Sequence, residues 1–493
     1  MSENHCGTRR KSVSLYFDGI FGTIGEKSKG RFLPERGKRM IIYNAEIYTM
    51  ESQEPIRDGY VIFDRKKIIR IGSGDDWMNW LETAGKENPD LYVRRDYVEN
   101  DEQTESVQTI DAKGARLYPG FIDAHSHLGL FDDGLTDEGS DGNEIVSPIS
   151  PDLRAIDGMH NGDVCFSEAK EAGVTMVAAG PGSANIVGGQ FALVKTYERT
   201  IDRAVVDPFI AMKAALGENP KACYGKDNKA PQTRMGSAAL LRGVLSEAIE
   251  YYEKKKQSEE KWTEYNNVEK RDTDDKPERP DVFEKDMELE AMIPVILGQK
   301  PLKIHAHRQD DILTAVRIAN EFNLKYTLDH CTEGHLIADI LKEEYDAGCG
   351  ENRGLGITCD KTKPGGGKLL GIIVGPVIGD RSKPELSNLS LKTAGALEKE
   401  GLPVAIMTDH PCVPQQYLAL SSALAKKGGL SERGALEAIT IRAAQILGVD
   451  ERFGSISVGK APDMVLLSGS PLGLESEVVM VIGDGRIVVD HRV

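Results

Sequence analysis

Residues 302–330 read LKIHAHRQDDILTAVRIANEFNLKYTLDH. The first six form a short apolar run in which His305 and His307 stand two positions apart. On a β-strand that spacing puts both imidazoles on one face, because side chains alternate with period two. DILTAVRIANEF then carries apolar residues at helical spacing, and KYTLDH returns to strand-like text. Strand, amphipathic helix and strand in so short a span predict a parallel pair joined by a crossover helix.

The unit recurs along the middle of the chain. Strand candidates are GFIDAHSH (120–127), VTMVAAGP (174–181), FALVKTY (191–197), FIAMKAAL (209–216), LKIHAH, KYTLDH, GIIVGP (371–376) and VAIMTDH (404–410). TEGHLIADILKEEY (332–345) and the Gly395-containing LKTAGALEKEG (391–401) are further helix candidates, while helical text is thin around the third strand. Eight strands alternating with helices predict an α/β fold of the (β/α)8 TIM-barrel type over 117–450. At both ends the text is β-rich. MIIYNAEIYTM (40–50), GYVIFDRKKIIRIGS (59–73) and SVQTIDAKGARLYPG (106–120) match GSISVGKAPDMVLLSG (454–469) and VVMVIGDGRIVVD (478–490) in style. Residues 40–116 and 451–493 are therefore expected to build one small β-sandwich domain from both chain ends. Residues 1–39, basic and Gly-rich, are expected to be a flexible tail, with Met40 as the expected biological start. The acidic stretch from about 84 to 108 reads as an inserted loop, and the charged segment at 250–290 as a solvated helix and linker in a βα loop.

The chain has 493 residues, 40% hydrophobic and 28% charged, with a net charge of −17. That balance favours solubility and disfavours nucleic-acid binding. No run of eighteen apolar residues predicts a membrane span, and the N-terminus lacks the apolar core of a signal peptide. Seven scattered cysteines with no CxxC pair read as reduced thiols, which predicts a cytoplasmic location. The expected partner is a small-molecule substrate, with neither nucleic acid nor membrane, and with homo-oligomers possible.

In such a barrel the functional residues lie at the C-terminal ends of the strands. There the chain places His125 and His127, Lys213, His305 and His307, Asp329 and His330, and Asp409 and His410. A lone histidine is usually a hydrogen-bonded core or loop residue, but this many at one barrel mouth fit a divalent first-row cation, zinc above all. Such an ion makes bound water a nucleophile near neutral pH.

GFIDAHSH, the later single histidines and the aspartate of strand 8 resemble the metal-dependent amidohydrolase superfamily, over about residues 40–493. GPGSANIVGGQ (180–190) and MKAALGENPK (212–221) look like the branch related to imidazolonepropionase. The resemblance implies His125, His127, His305, His330 and Asp409 as metal ligands, with Asp409 also taking the proton from the attacking water. On strand 4 it leaves three options, a carbamylated Lys213 bridging two metals, Glu218, or neither with a single ion, so one or two ions stay open. His307, Asn185, Gln190, Glu218 and His410 are expected near the substrate. KPGGGK (363–368) lacks P-loop spacing and reads as a loop.

Two reactions fit this resemblance. One is hydrolysis of a C–N bond in a cyclic or peptide-like amide. The other is deamination of an aromatic amidine, which the lack of a glutamate matching strand 5 disfavours. A non-catalytic assembly protein is a third reading, disfavoured by the full ligand set.

Overall fold

A computed structural model of the chain describes residues 39–87, 92–94, 106–133, 137–269, 278–347 and 366–492. The tail expected at 1–39, save its last residue, lies outside these, as do most of the 84–108 stretch and residues 363–365 of KPGGGK. The described residues form one body of structure.

Its centre is a ring of eight strands. They are β1 (Phe121–Ser126), β2 (Val174–Ala179), β3 (Val187–Lys195), β4 (Val205–Ala215), β5 (Leu302–Ala306), β6 (Lys325–His330), β7 (Lys368–Val374) and β8 (Val404–Ile406). Neighbours pair in that order from β1 to β8. The seam between β8 and β1 is spanned past the end of β8, where Asp409 N donates to His125 O (3.2 Å) and His127 N to His410 O (3.0 Å). The fold is an α/β barrel of TIM type.

One strand departs from the all-parallel expectation. β3 runs antiparallel to both β2 and β4, whereas the other pairs along the sheet are parallel. The reason is chain length. Only residues 180–186 separate β2 from β3, and 196–204 separate β3 from β4. A parallel crossover needs about a dozen residues or more, so short links force reversals.

Helices cover the outside of the parallel part. Gln309–Glu321 joins β5 to β6, buries Ile312, Ala315, Val316 and Ala319, and carries Asp310 and Asp311 in its first turn. That is the amphipathic stripe and N-terminal charge a surface helix needs. Val164–Glu171 links β1 to β2 and is capped by Asp163, whose side chain accepts from Cys165 N (3.3 Å). Lys392–Lys399 precedes β8 and tolerates Gly395 for a packing reason: a Cβ there would lie 2.4 Å from Gly429 C. The charged segment begins inside a 36-residue helix, Arg234–Glu269. No helix among the described residues is long and apolar enough to cross a membrane.

Strands from both chain ends share a second, nine-stranded sheet. Arg39–Ile47 pairs in parallel with Ser106–Asp111 along its first half and with Arg116–Pro119 near its end. Between them Asn44 has a φ of 55°, and the register with Ile56–Phe63 shifts. The sheet branches at this kink, and one apolar cluster draws on both branches, including Ile42, Phe63, Ile110, Leu117 and Ile482. Hydrogen bonding joins strands from both chain ends in one continuous branched sheet. Met464–Leu467 completes it against Arg116–Pro119. There Gly120 N donates to Asp463 O (2.9 Å), tying the sheet to the first residues of the barrel.

Candidate active site

At the C-terminal mouth of the ring lies a cavity of about 640 Å³, lined by His127, His305, His307, His330 and Asp409 among others. The parallel strands deliver these side chains at their ends. His330 and Asp409 sit in left-handed backbone, with φ of 68° and 54°. Such conformations cost on the order of 1 kcal/mol each and persist where the surroundings enforce them.

The hydrogen bonds fix the imidazole tautomers. His125 Nδ1 donates to Asp329 Oδ2 (2.6 Å), His127 Nδ1 to the carbonyl of Gly180 (2.6 Å) and His330 Nδ1 to the carbonyl of Gly375 (2.9 Å). Each Nε2 is left as a lone pair. The Nε2 atoms of His125 and His127 stand 3.4 and 3.2 Å from Asp409 Oδ1. Neither His330 Nε2 nor Asp409 Oδ1 has a hydrogen-bond partner, and both are buried. Lone pairs facing one another in a buried site repel unless a cation lies among them.

Of three triads among the described residues whose donor atoms all lie within 4.8 Å of one another, two belong to this cluster: His125, His330 and Asp409, and His305, His307 and His330. His307 Nδ1 is paired with Thr332 Oγ1 (2.7 Å) and His305 Nδ1 with Ser183 Oγ (2.8 Å). Imidazole nitrogen with carboxylate oxygen is the donor set of a divalent first-row cation, so the residues present fit such an ion.

Charge and burial act together here. Desolvation holds His125, His305 and His330 neutral, their pKa values well below the ordinary histidine range, and brings His307 down to about 3. Burial would raise the Asp409 carboxyl, but His330, His127 and Lys213 outweigh it and hold it below the usual range. Lys213 is fully buried on β4, its Nζ 3.4 Å from His125 Nε2 and 5.6 Å from the centre of the Phe191 ring. Desolvation pushes its pKa down to about 8.

Of the five residues expected near the substrate, four do not line the cavity. Asn185 Nδ2 donates to Glu144 O (2.7 Å), and its Oδ1 accepts from Tyr224 Oη (2.6 Å), so both ends of the amide serve loop packing. Gln190 lies within β3 rather than in a loop, and its Nε2 donates to Pro151 O (3.3 Å). It alternates with Phe191, whose ring packs against His125 and His127, so its side chain takes the opposite face. Glu218 turns to a neighbouring loop: its backbone N donates to Glu385 Oε2 (2.9 Å), and its own Oε2 accepts from Glu385 N (3.4 Å). His410 points away from the cavity, toward Asp163 and Cys165. The charged 250–290 segment contributes no cavity-lining residue among those described.

Other site residues had not been singled out. Lys303, buried on β5, donates to Ala124 O (2.8 Å) and pairs with Asp329 Oδ2 (2.9 Å). Its signal was present, since it stands two residues before His305 and therefore shares its face. Asp123 likewise precedes His125 by two. Its Oδ2 accepts from Thr408 Oγ1 (2.6 Å) and Gln415 Nε2 (2.7 Å), bracing the seam. Ser183 and Lys383 reach the mouth from loops, and Asn219 from the first turn of the helix Glu218–Gly225, where spacing along the strands gives no direction.

A buried imidazole–carboxylate cluster at the mouth of an α/β barrel defines a class of metal-binding barrel proteins, and likeness to known proteins makes the class specific. An amidohydrolase from Thermotoga maritima MSB8 has a solved structure that is 32% identical, spans 92% of this chain and 100% of its own, and superposes with a TM-score of 0.75. The chain belongs to the amidohydrolase family. The profile of that family matches residues 373–489. The amidohydrolase tasK of Hapsidospora irregularis is 27% identical over 95% of this chain, which spans only 45% of that relative. A prolidase solved with N-methylphosphonate-L-proline shares the fold at 15% identity, covering 91% of this chain and 99% of its own with a TM-score of 0.52.

Proposed function

We propose that the protein is a metal-dependent hydrolase that cleaves a C–N bond of a small cyclic or peptide-like amide with water. The observation that carries this reading is the convergence of the His125 and His127 Nε2 atoms on Asp409 Oδ1, beside the orphaned Nε2 of His330. We read His125, His127, His305, His330 and Asp409 as the residues that hold the ion, with zinc the preferred metal. The triad of His305, His307 and His330 brings His307 into the same reading as a ligand candidate. A divalent ion held there supplies Lewis acidity and lowers the pKa of water.

The chain's own residues do the rest. Asp409, kept ionised, takes the proton of the attacking water as oxygen adds to the amide carbon. It then returns that proton to the leaving nitrogen as the C–N bond breaks, giving a carboxylic acid and an amine. Asp329 fixes the tautomer of His125, and Lys303 balances the Asp329 charge. Lys213 is buried, and its lowered pKa leaves part of it as the neutral amine at pH 7–8, the form that captures CO2. A carbamylated Lys213 would join two ions; the unmodified side chain goes with one. The strings at 180–190 and 212–221 support the imidazolonepropionase-related branch, and four free cysteines among the described residues suit a reducing cytoplasm.

The test is metal content together with turnover on an amide panel. Purified protein should carry one or two equivalents of divalent ion, and a chelator should abolish hydrolysis until metal is restored. His125→Ala combined with His127→Ala should remove both metal and activity. A double variant that keeps full metal content and turnover would refute the site. Ammonia release from aminopyrimidines, with no amide cleaved, would replace hydrolysis by deamination.

A further inference from the structure

The cavity wall is chemically lopsided. Phe131, Ile378, Leu386 and Leu389 give it an apolar side, and Lys383 is the single Lys or Arg among its described lining residues. Lys383 Nζ donates to Asn219 Oδ1 (2.6 Å), and Asn219 Nδ2 lies 3.4 Å from His305 Nε2. The ammonium is thus held beside the imidazole cluster, and its charge is felt at His305 and His307. Among the described residues no carboxylate lies within ion-pair distance of it.

The loop that presents Lys383 is built to stay in place. Glu385, two residues on, is buried and accepts the backbone N–H of Glu218 (2.9 Å). Arg381 donates to the carbonyls of Ser387 (3.0 Å) and Leu389 (2.9 Å), closing the loop on itself. A cation with one amide neighbour, no carboxylate within ion-pair distance among the described residues and a fixed position next to a reaction centre is arranged for an anion that arrives with the substrate. One ammonium and one amide match a monoanion; a phosphate dianion would call for further cations or a cluster of N–H donors.

Building on the hydrolase reading above, we propose that Lys383 binds a carboxylate of the substrate. The substrate class is then an N-acyl amino acid or dipeptide-like amide, its free carboxylate on Lys383 and an apolar group against Ile378, Leu386 and Leu389.

The test uses the full chain loaded with divalent metal and two probes that differ only in charge, N-acetyl-L-leucine and N-acetyl-L-leucinamide. Calorimetry should find the acid bound roughly 10- to 100-fold more tightly than the amide, the range of one charge-assisted hydrogen bond. Lys383→Met should erase most of that ratio, and Lys383→Arg should restore part of it. Equal binding of the two probes by the wild type overturns the proposal. So does an acid preference that survives in Lys383→Met, since the metal centre would then hold the carboxylate, or loss of both probes together. Turnover is scored separately. Acid-selective binding through Lys383 with no amide cleaved leaves this inference standing and removes the hydrolase reading. Equal turnover of neutral and acidic amides does the reverse.

Discussion

Asp329 bears on the centre without touching the cavity. Its carboxylate takes the Nδ1–H of His125, the ammonium of Lys303 and the hydroxyl of Thr327 (2.8 Å). A carboxylate behind a ligating histidine sets its tautomer and basicity, and losing one typically costs 10- to 100-fold in metal affinity. Asp329→Asn should therefore weaken metal binding by about that factor in a chelator competition while the protein stays folded. Unchanged affinity would remove Asp329 from that role. Period-two spacing made His125, His127, His305 and His307 legible, because a strand fixes direction once its face is known. The same rule held Lys303 and Asp123, which were passed over because lysine and aspartate do not announce a site as histidine pairs do. Asn185, Glu218 and His410 were illegible for a different cause: their direction depends on which loop they brace, and no local spacing carries that.

Gly395 shows how an element can look weak in sequence and be required in space. Glycine inside a helix costs roughly 0.5–1 kcal/mol against alanine. Yet a Cβ at this position would meet Gly429 C at 2.4 Å and Leu430 N at 2.6 Å, both backbone atoms. Gly395→Ala should therefore lower stability by about 1–3 kcal/mol despite the better helix propensity, read as a drop in urea midpoint at constant slope. A rise in midpoint would mean the two backbones separate at no cost. The βαβ units were readable because their helices are amphipathic and their connections long. The reversal of β3 was also encoded, in the short links on either side of it, but strand-like composition alone says nothing about direction. Gln190 was expected in a loop because Gly188 and Gly189 precede it, whereas the strand begins at Val187.

Across the whole molecule, the joint between the end sheet and the barrel holds a buried carboxyl. Asp463 Oδ1 accepts from Asp484 N (2.7 Å) and Tyr197 Oη (3.2 Å), while its Oδ2 has no partner. Burial is the main cause that raises its pKa to about 6. Below pH ~4 the group is protonated folded and unfolded and contributes nothing. Between ~4 and ~6 the unfolded chain ionises first, so stability falls as pH rises, and above ~6 the penalty is complete, on the order of 2–3 kcal/mol. Asp463→Asn keeps the accepting oxygen and removes the charge. It should raise the melting temperature at pH 8 and leave it nearly unchanged at pH 4; an equal shift at both would show that ionisation plays no part.

The sheet that Asp463 helps anchor has a consequence for biosynthesis. Its strands at 39–47 and 116–119 leave the ribosome early, while their neighbour at 464–467 emerges only after every barrel strand. Throughout that interval Arg116–Pro119 presents an open edge, the kind of surface that recruits foreign strands. The interval before residue 464 emerges is thus the time when a chaperone matters most to this chain, and a stall there leaves a finished barrel carrying a sticky flank.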